Sequence, residues 1–172
     1  HWVIMSNHYH LLVELEMPEE ISSIMAGIGR SYTVYHHRQY DSSGHLWQGR
    51  FKCQAIESEQ YLHGCGRYIE RNPVAAMMID SAEKYPYSSA RFYVTGEPDG
   101  LTDADPLFSR FGNSIDEQRI GYQKFLKSFN HEEDAFFENL EQPLGSREFL
   151  RRIRKENGVY LPRRRGRPAI HV

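Results

Sequence analysis

Cysteine is scarce in this chain. Cys53 and Cys65 are the only two, and neither lies in a CxxC pattern. Two such thiols supply no metal framework and read as free thiols of a reducing cytosol. Long hydrophobic runs are absent as well. No apolar stretch approaches the roughly 20 residues that a membrane-spanning helix needs. There is no internal repeat, and no secretory signal is visible. The chain opens on His1 rather than Met, and residues 1–13 already read as a strand pair inside a fold. We therefore expect an N-terminal segment of a longer parent protein to precede it.

What is present suits a soluble globular protein. The 172 residues amount to about one domain and can bury a sizeable core. An apolar fraction of 40% and a charged fraction of 26% are ordinary for that class. The net charge of −2 conceals an asymmetry. Residues 146–172 carry nine Arg/Lys against Glu148 and Glu156, a net of +7, which leaves −9 on the rest. A basic tail on an acidic body points to a polyanionic partner for the tail.

Residues 1–5 (HWVIM) and 8–15 (HYHLLVEL) read as strands joined by a Ser6-Asn7 turn. Pro18, Glu19 and Glu20 open a helix. Ile21, Ile24, Met25, Ile28, Tyr32 and Tyr35 give it one apolar face, with Gly27 and Gly29 as weak points. His36 and His37 read as favourably placed near its C-terminus. Residues 46–56 predict a strand starting at about Arg50. Ser58 is the expected cap of a second helix through Tyr61, Leu62, Cys65, Tyr68 and Ile69, which Asn72-Pro73 should disturb or end. Residues 114–129 form a helix with Ile115, Ile120, Phe125, Leu126 and Phe129 as apolar positions. A short acidic helix within 131–141, a basic helix over 146–157 and a tail from 160 follow.

Two constellations carry chemistry. In a strand, side chains alternate, so His8 and His10 project from one face and can share a metal ion. Tyr68 and Asn72 stand four apart on a helix and share a face. A tyrosine phenol can attack a DNA phosphate and become covalently attached, but with a free pKa of about 10 it needs assistance. A metal supplies that by polarising the phosphate, and an Asn carboxamide oxygen one turn away is a candidate third ligand. Such a donor set suits Mg²⁺ or Mn²⁺, although imidazole also accepts Zn²⁺ or Ni²⁺.

Three ordered motifs, MSNHYHLLVE, GHLWQGRFK and YLHGCGRYIERNPVAAMM, resemble the REP-associated tyrosine transposases, relatives of insertion-sequence transposases that move through single-stranded DNA. The resemblance covers about residues 1–95. It implies an α+β fold, a ferredoxin-like sheet backed by helices, with the N-terminal strand-helix-strand missing or truncated. A sheet lacking such strands is expected to expose backbone groups and apolar surface. His8 and His10 would be the HUH metal pair, Asn72 the third ligand, and Tyr68 the nucleophile of a 5′-phosphotyrosine. The partner would be single-stranded or hairpin DNA of repetitive palindromes, handled by a monomer in the bacterial cytoplasm at the nucleoid.

The domain reading is a catalytic domain over 1–95, an acidic helical extension over 96–145, and a basic helix with a DNA-binding tail over 146–172. Trp47 either stacks on a base or packs its own loop. Arg50, with Lys52, is placed to hold a phosphate. In the tail, Arg163, Arg164, Arg165 and Arg167 are suited to phosphates or an A·T minor groove. Glu70 and Arg71 read as an exposed helix face. Two rivals stand beside strand transfer: a DNA-hairpin-binding module that does not cut, and a phosphodiesterase that uses water without a covalent step.

Overall fold

Trp2, Val3 and Ile4 are the β-branched and aromatic types that favour a pleated surface, and they form β1 (Trp2–Ile4). It pairs antiparallel with β2 (Tyr9–Leu11) in the register Trp2↔Leu11, Val3↔His10, Ile4↔Tyr9. Across the Ser6-Asn7 turn, the Met5 N–H donates to the His8 carbonyl at 2.8 Å. Both strands are shorter than the sequence pattern predicts. The computed structural model describes residues 1–128, 131–139 and 143–157, without the side chains of residues 58–60, 154, 156 and 157. The other elements are a 3-10 turn at Pro18–Glu20, α1 (Ile21–Tyr40), α2 (Ser58–Ala75), α3 (Ala90–Thr95), α4 (Ile115–Lys127), α5 (His131–Glu138) and α6 (Arg147–Asn157). The chain is thus mixed α+β, consistent with a ferredoxin-like arrangement reduced to two described strands.

The edge of β1 away from β2 is covered. Ile4 N–H donates to the Tyr87 carbonyl at 2.9 Å, Ser89 N–H to the Trp2 carbonyl at 3.0 Å, and Val3 bridges Ser88. Residues 87–89 therefore satisfy backbone groups expected to stand open on that edge. The strand expected from about Arg50 does not form. Among the described residues, Ile56 makes an isolated bridge to Leu144.

By internal contacts the chain divides into two units, His1–Leu12 with Gln54–Val172, and Val13–Cys53. In the first, Val3, Met5, Cys65, Ile69 and Phe137 make one core cluster, with Tyr68 packed against it. Ala82, Ala90, Tyr93, Phe108, Tyr122 and Leu126 make a second. Ser114 caps α4 through a reciprocal box with Glu117, each side chain meeting the other's backbone N–H at 3.3 Å. Ile115 and Ile120, expected in the core face of this helix, are exposed instead, and Tyr122 takes the buried place.

Helix α2 corrects the sequence reading twice. Its N-cap is Glu57 rather than Ser58, and it runs through Pro73 to Ala75. Pro73 has no N–H for the Ile69 carbonyl four residues back. Asn72 Nδ2 supplies a replacement, 3.4 Å from that carbonyl and 2.8 Å from the Tyr68 carbonyl. The helix continues because a neighbouring amide repairs the gap.

In the second unit α1 is unbroken at Gly27 and Gly29, and it ends at Asp41 in the left-handed conformation (φ 44°). Trp47 folds back on it, its indole N–H lying 3.0 Å from both the Gly29 carbonyl and Thr33 Oγ1. A Cβ at residue 29 would stand 3.6 Å from that nitrogen, in ordinary contact. The predicted apolar face exists, yet Ile24, Ile28, Tyr32 and Tyr35 are exposed.

Candidate functional site

The side chains of Cys65 and Ile69 sink into the core beside Val3 and Met5, so α2 lies against the sheet. That contact carries Tyr68 to β2. Its ring centroid is 5.6 Å from that of His10, edge-on at 75°. The His10 ring is 5.1 Å from that of His8 at 89°. Phe137 of α5 stacks on Tyr68 at 5.8 Å and 28°. Asn72 stands one helical turn beyond. Its Nδ2 is committed to backbone carbonyls, and its Oδ1, the one acceptor of the carboxamide, takes no part in those bonds.

His8 is exposed, with Nδ1 2.6 Å from Asn7 Oδ1. His10 is half-buried. Burial, and then the neighbouring His8, lower its pKa, so it is a neutral imidazole at pH 7. Neutral imidazole is the ligating form. Burial raises the Tyr68 phenol, and Glu138 adds to this, while the Asn72 amide works in the opposite sense. Two imidazoles and a carboxamide oxygen next to a protonated phenol fit a divalent cation that keeps places for substrate oxygens. Among the described residues no group of three or more His, Cys, Asp or Glu is placed to hold a metal.

Of the residues singled out from the sequence, His8, His10 and Tyr68 come together, and Asn72 lies one helical turn from Tyr68 with its amide on the Tyr68 carbonyl. Trp47, Arg50 and Lys52 belong to the unit Val13–Cys53, where Arg50 and Lys52 are exposed and Trp47 packs on α1. Arg163, Arg164, Arg165 and Arg167 lie outside the described residues.

The matched segment is informative. Residues 1–72 match the family described as Transposase IS200 like. The match spans 72 of the 172 residues. Its span takes in His8, His10, Tyr68 and Asn72. No curated protein and no solved structure matches significantly. Among the described residues no helix is long and apolar enough to cross a membrane.

Glu70, read from the sequence as an exposed face with Arg71, is fully buried. Arg71 is half-buried, and its Nη1 donates to the Leu126 carbonyl at 2.9 Å. Glu70 Oε1 accepts from His1 Nδ1 at 2.9 Å and Ser89 Oγ at 2.6 Å, and Oε2 accepts from the Tyr122 hydroxyl at 2.8 Å. The other His1 nitrogen lies 3.3 Å from Asp105 Oδ2. Sequence reading missed His1 and Asp105, which have no local signature.

Burial works to lower the His1 pKa. The Glu70 charge and hydrogen bonds to Asp105 and Glu70 outweigh it and raise it to about 9. A folded pKa above the unfolded value of about 6.5 stabilises the fold fully below that pH, and the gain is lost as pH rises through about 9. Urea midpoints are therefore expected to fall between pH 7 and pH 10. His1→Gln should flatten that slope, and a slope unchanged in His1→Gln would assign the effect elsewhere.

Proposed function

We propose that the chain is a metal-dependent DNA strand transferase that cleaves and rejoins single-stranded, hairpin-forming DNA through a 5′-phosphotyrosine, as a REP-associated tyrosine transposase of the HUH type. The observation that carries this is the Tyr68 ring beside the His8–His10 pair, with Asn72 one turn along the same helix. His8, His10 and Asn72 would hold a divalent cation, Mg²⁺ or Mn²⁺, which when bound polarises the scissile phosphate. Tyr68 Oη attacks phosphorus, its bond to the 5′-phosphate forms, and the bond from phosphorus to the 3′ oxygen breaks. The phenolic proton is lost and the departing oxygen is protonated to a 3′-OH. Attack by that hydroxyl on the phosphotyrosine reverses the step, so resealing needs no nucleotide cofactor.

In this reading residues 1–95 perform the chemistry, 96–145 extend it, and 146–172 hold the hairpin stem by charge. The protein acts as a monomer on DNA of the bacterial cytoplasm, at the nucleoid. The exposed basic residues Arg147, Arg151, Arg152 and Lys155 of α6 suit phosphates.

The test is incubation of the full chain with a labelled single-stranded palindrome and Mn²⁺, followed by a denaturing gel. A slow covalent adduct together with a free 3′-OH fragment is expected. Cleavage without an adduct would favour the water-using phosphodiesterase. A native gel shift without cleavage would favour the binding module.

A further inference from the structure

We propose that His1, Glu70 and Asp105 are positioning residues, a buried polar clamp that fixes α2 against the sheet so that Tyr68 faces His10. The inference rests on the strand-transferase reading for its catalytic consequence, but its geometry is independent of it. Residue 1 continues the ladder of β1 and β2: Leu12 N–H donates to the His1 carbonyl at 2.8 Å, and the His1 backbone nitrogen lies 3.3 Å from the Leu12 carbonyl. The His1 side chain therefore projects from the sheet that carries His10. Its Nδ1 grips Glu70, two residues after Tyr68 on α2. Successive helical residues are about 100° apart, so Glu70 and Tyr68 point to different sides of the helix. One side is held by the clamp while the other presents the phenol.

The clamp is closed all round. Glu70 is 0% exposed, and the His1 and Asp105 side chains are each 2% exposed. Ser89 and Tyr122 complete the bonding of Glu70. Asp105 Oδ1 accepts the Leu107 N–H at 2.7 Å, and its own N–H donates to the Tyr93 hydroxyl at 3.1 Å. His1 stacks on Tyr93 with ring centroids 4.5 Å apart. Apolar side chains would fill this space without the desolvation cost of charges. What directional bonds add is a single rotational setting of α2. A phenol displaced by about 1 Å from its line of attack can lose about 100-fold in rate.

The experiment uses the full chain and compares Glu70→Ala with Glu70→Gln, which keeps the shape and acceptor oxygen. Three quantities are read: single-turnover adduct formation on the labelled palindrome with saturating Mn²⁺, hairpin affinity, and the nuclear Overhauser effect between the Tyr68 and His10 rings. Glu70→Ala is expected to slow adduct formation about 100-fold, to leave hairpin affinity within about twofold, and to lose the ring-to-ring effect. Glu70→Gln should restore the effect and most of the rate. If Glu70→Ala does not fold, Tyr122→Phe removes one bond to the carboxylate and should slow the step about tenfold. A variant with a lower Tm but an unchanged ring-to-ring effect and rate per folded molecule would overturn the proposal. If the unsubstituted chain forms no adduct, the strand-transferase reading fails, and the ring-to-ring effect alone decides the clamp.

Discussion

Replacing Tyr68 by Phe is expected to abolish the covalent DNA adduct, a loss of at least about 10⁴-fold, while hairpin affinity changes by less than about twofold. The argument is that the substitution removes one oxygen and little else. The ring keeps its edge-on contact with His10 at 5.6 Å and its stack on Phe137 at 5.8 Å. It also keeps its place against Val3, Met5, Cys65 and Ile69. Folding should therefore be unaffected, and circular dichroism and Tm should match those of the parent chain. The proposed reaction needs the oxygen as nucleophile, and Tyr85, which packs against the same cluster, has its hydroxyl bonded to the Ile4 carbonyl at 2.9 Å. A denaturing gel with end-labelled palindrome measures the adduct, and a filter-binding titration measures affinity. Adduct retained in Tyr68→Phe would transfer the nucleophile to another residue and remove the basis of the single-tyrosine reading.

Replacing His10 by Ala should cost about 10³-fold in adduct formation and raise the Mn²⁺ concentration that gives half the maximal rate. His10 is the half-buried member of the pair, and burial together with His8 keeps it neutral. No proton then has to be displaced at pH 7 for it to ligate. The backbone pairing of Val3 with His10 does not depend on the side chain, so the hairpin of strands survives. His8→Ala should behave alike with a smaller loss, since the His8 ring is exposed, with its Nδ1 on Asn7. The rate is measured across an Mn²⁺ titration, and Mn²⁺ binding is read independently by electron paramagnetic resonance. An unaltered Mn²⁺ response in His10→Ala, or adduct formed in EDTA by the parent chain, would remove the metal from the mechanism.

How far the site could be read in advance follows from the range of the forces involved. His8 and His10 lie two apart and Tyr68 and Asn72 four apart, so their pairing on common faces is a property of backbone geometry. The helix expected over 114–129 forms as α4 (Ile115–Lys127). The reading failed where a non-local or unusual partner intervened. Asn72-Pro73 was expected to disturb or end α2, but the helix runs on to Ala75, with the Asn72 amide on the carbonyl that proline leaves. Residues from Arg50 onward have strand-like composition, yet they find no strand to pair with beyond the bridge at Ile56. Ile115 and Ile120 have apolar spacing, but the buried side of α4 is set by Tyr122 and Leu126 against the aromatic cluster.

The amino-acid sequence by itself determined the two halves of the site, an imidazole pair on a strand and a phenol with a carboxamide on a helix, because each half is built from spacings within one element. Only the tertiary structure decided that the halves meet. Tyr68 reaches His10 across 58 positions of chain because Cys65 and Ile69 bury themselves beside Val3 and Met5. It likewise decided that Glu70, a charge that would be solvated on an isolated helix, turns inward. His1, Ser89 and Tyr122, distant in sequence, supply the bonds that offset the loss of water.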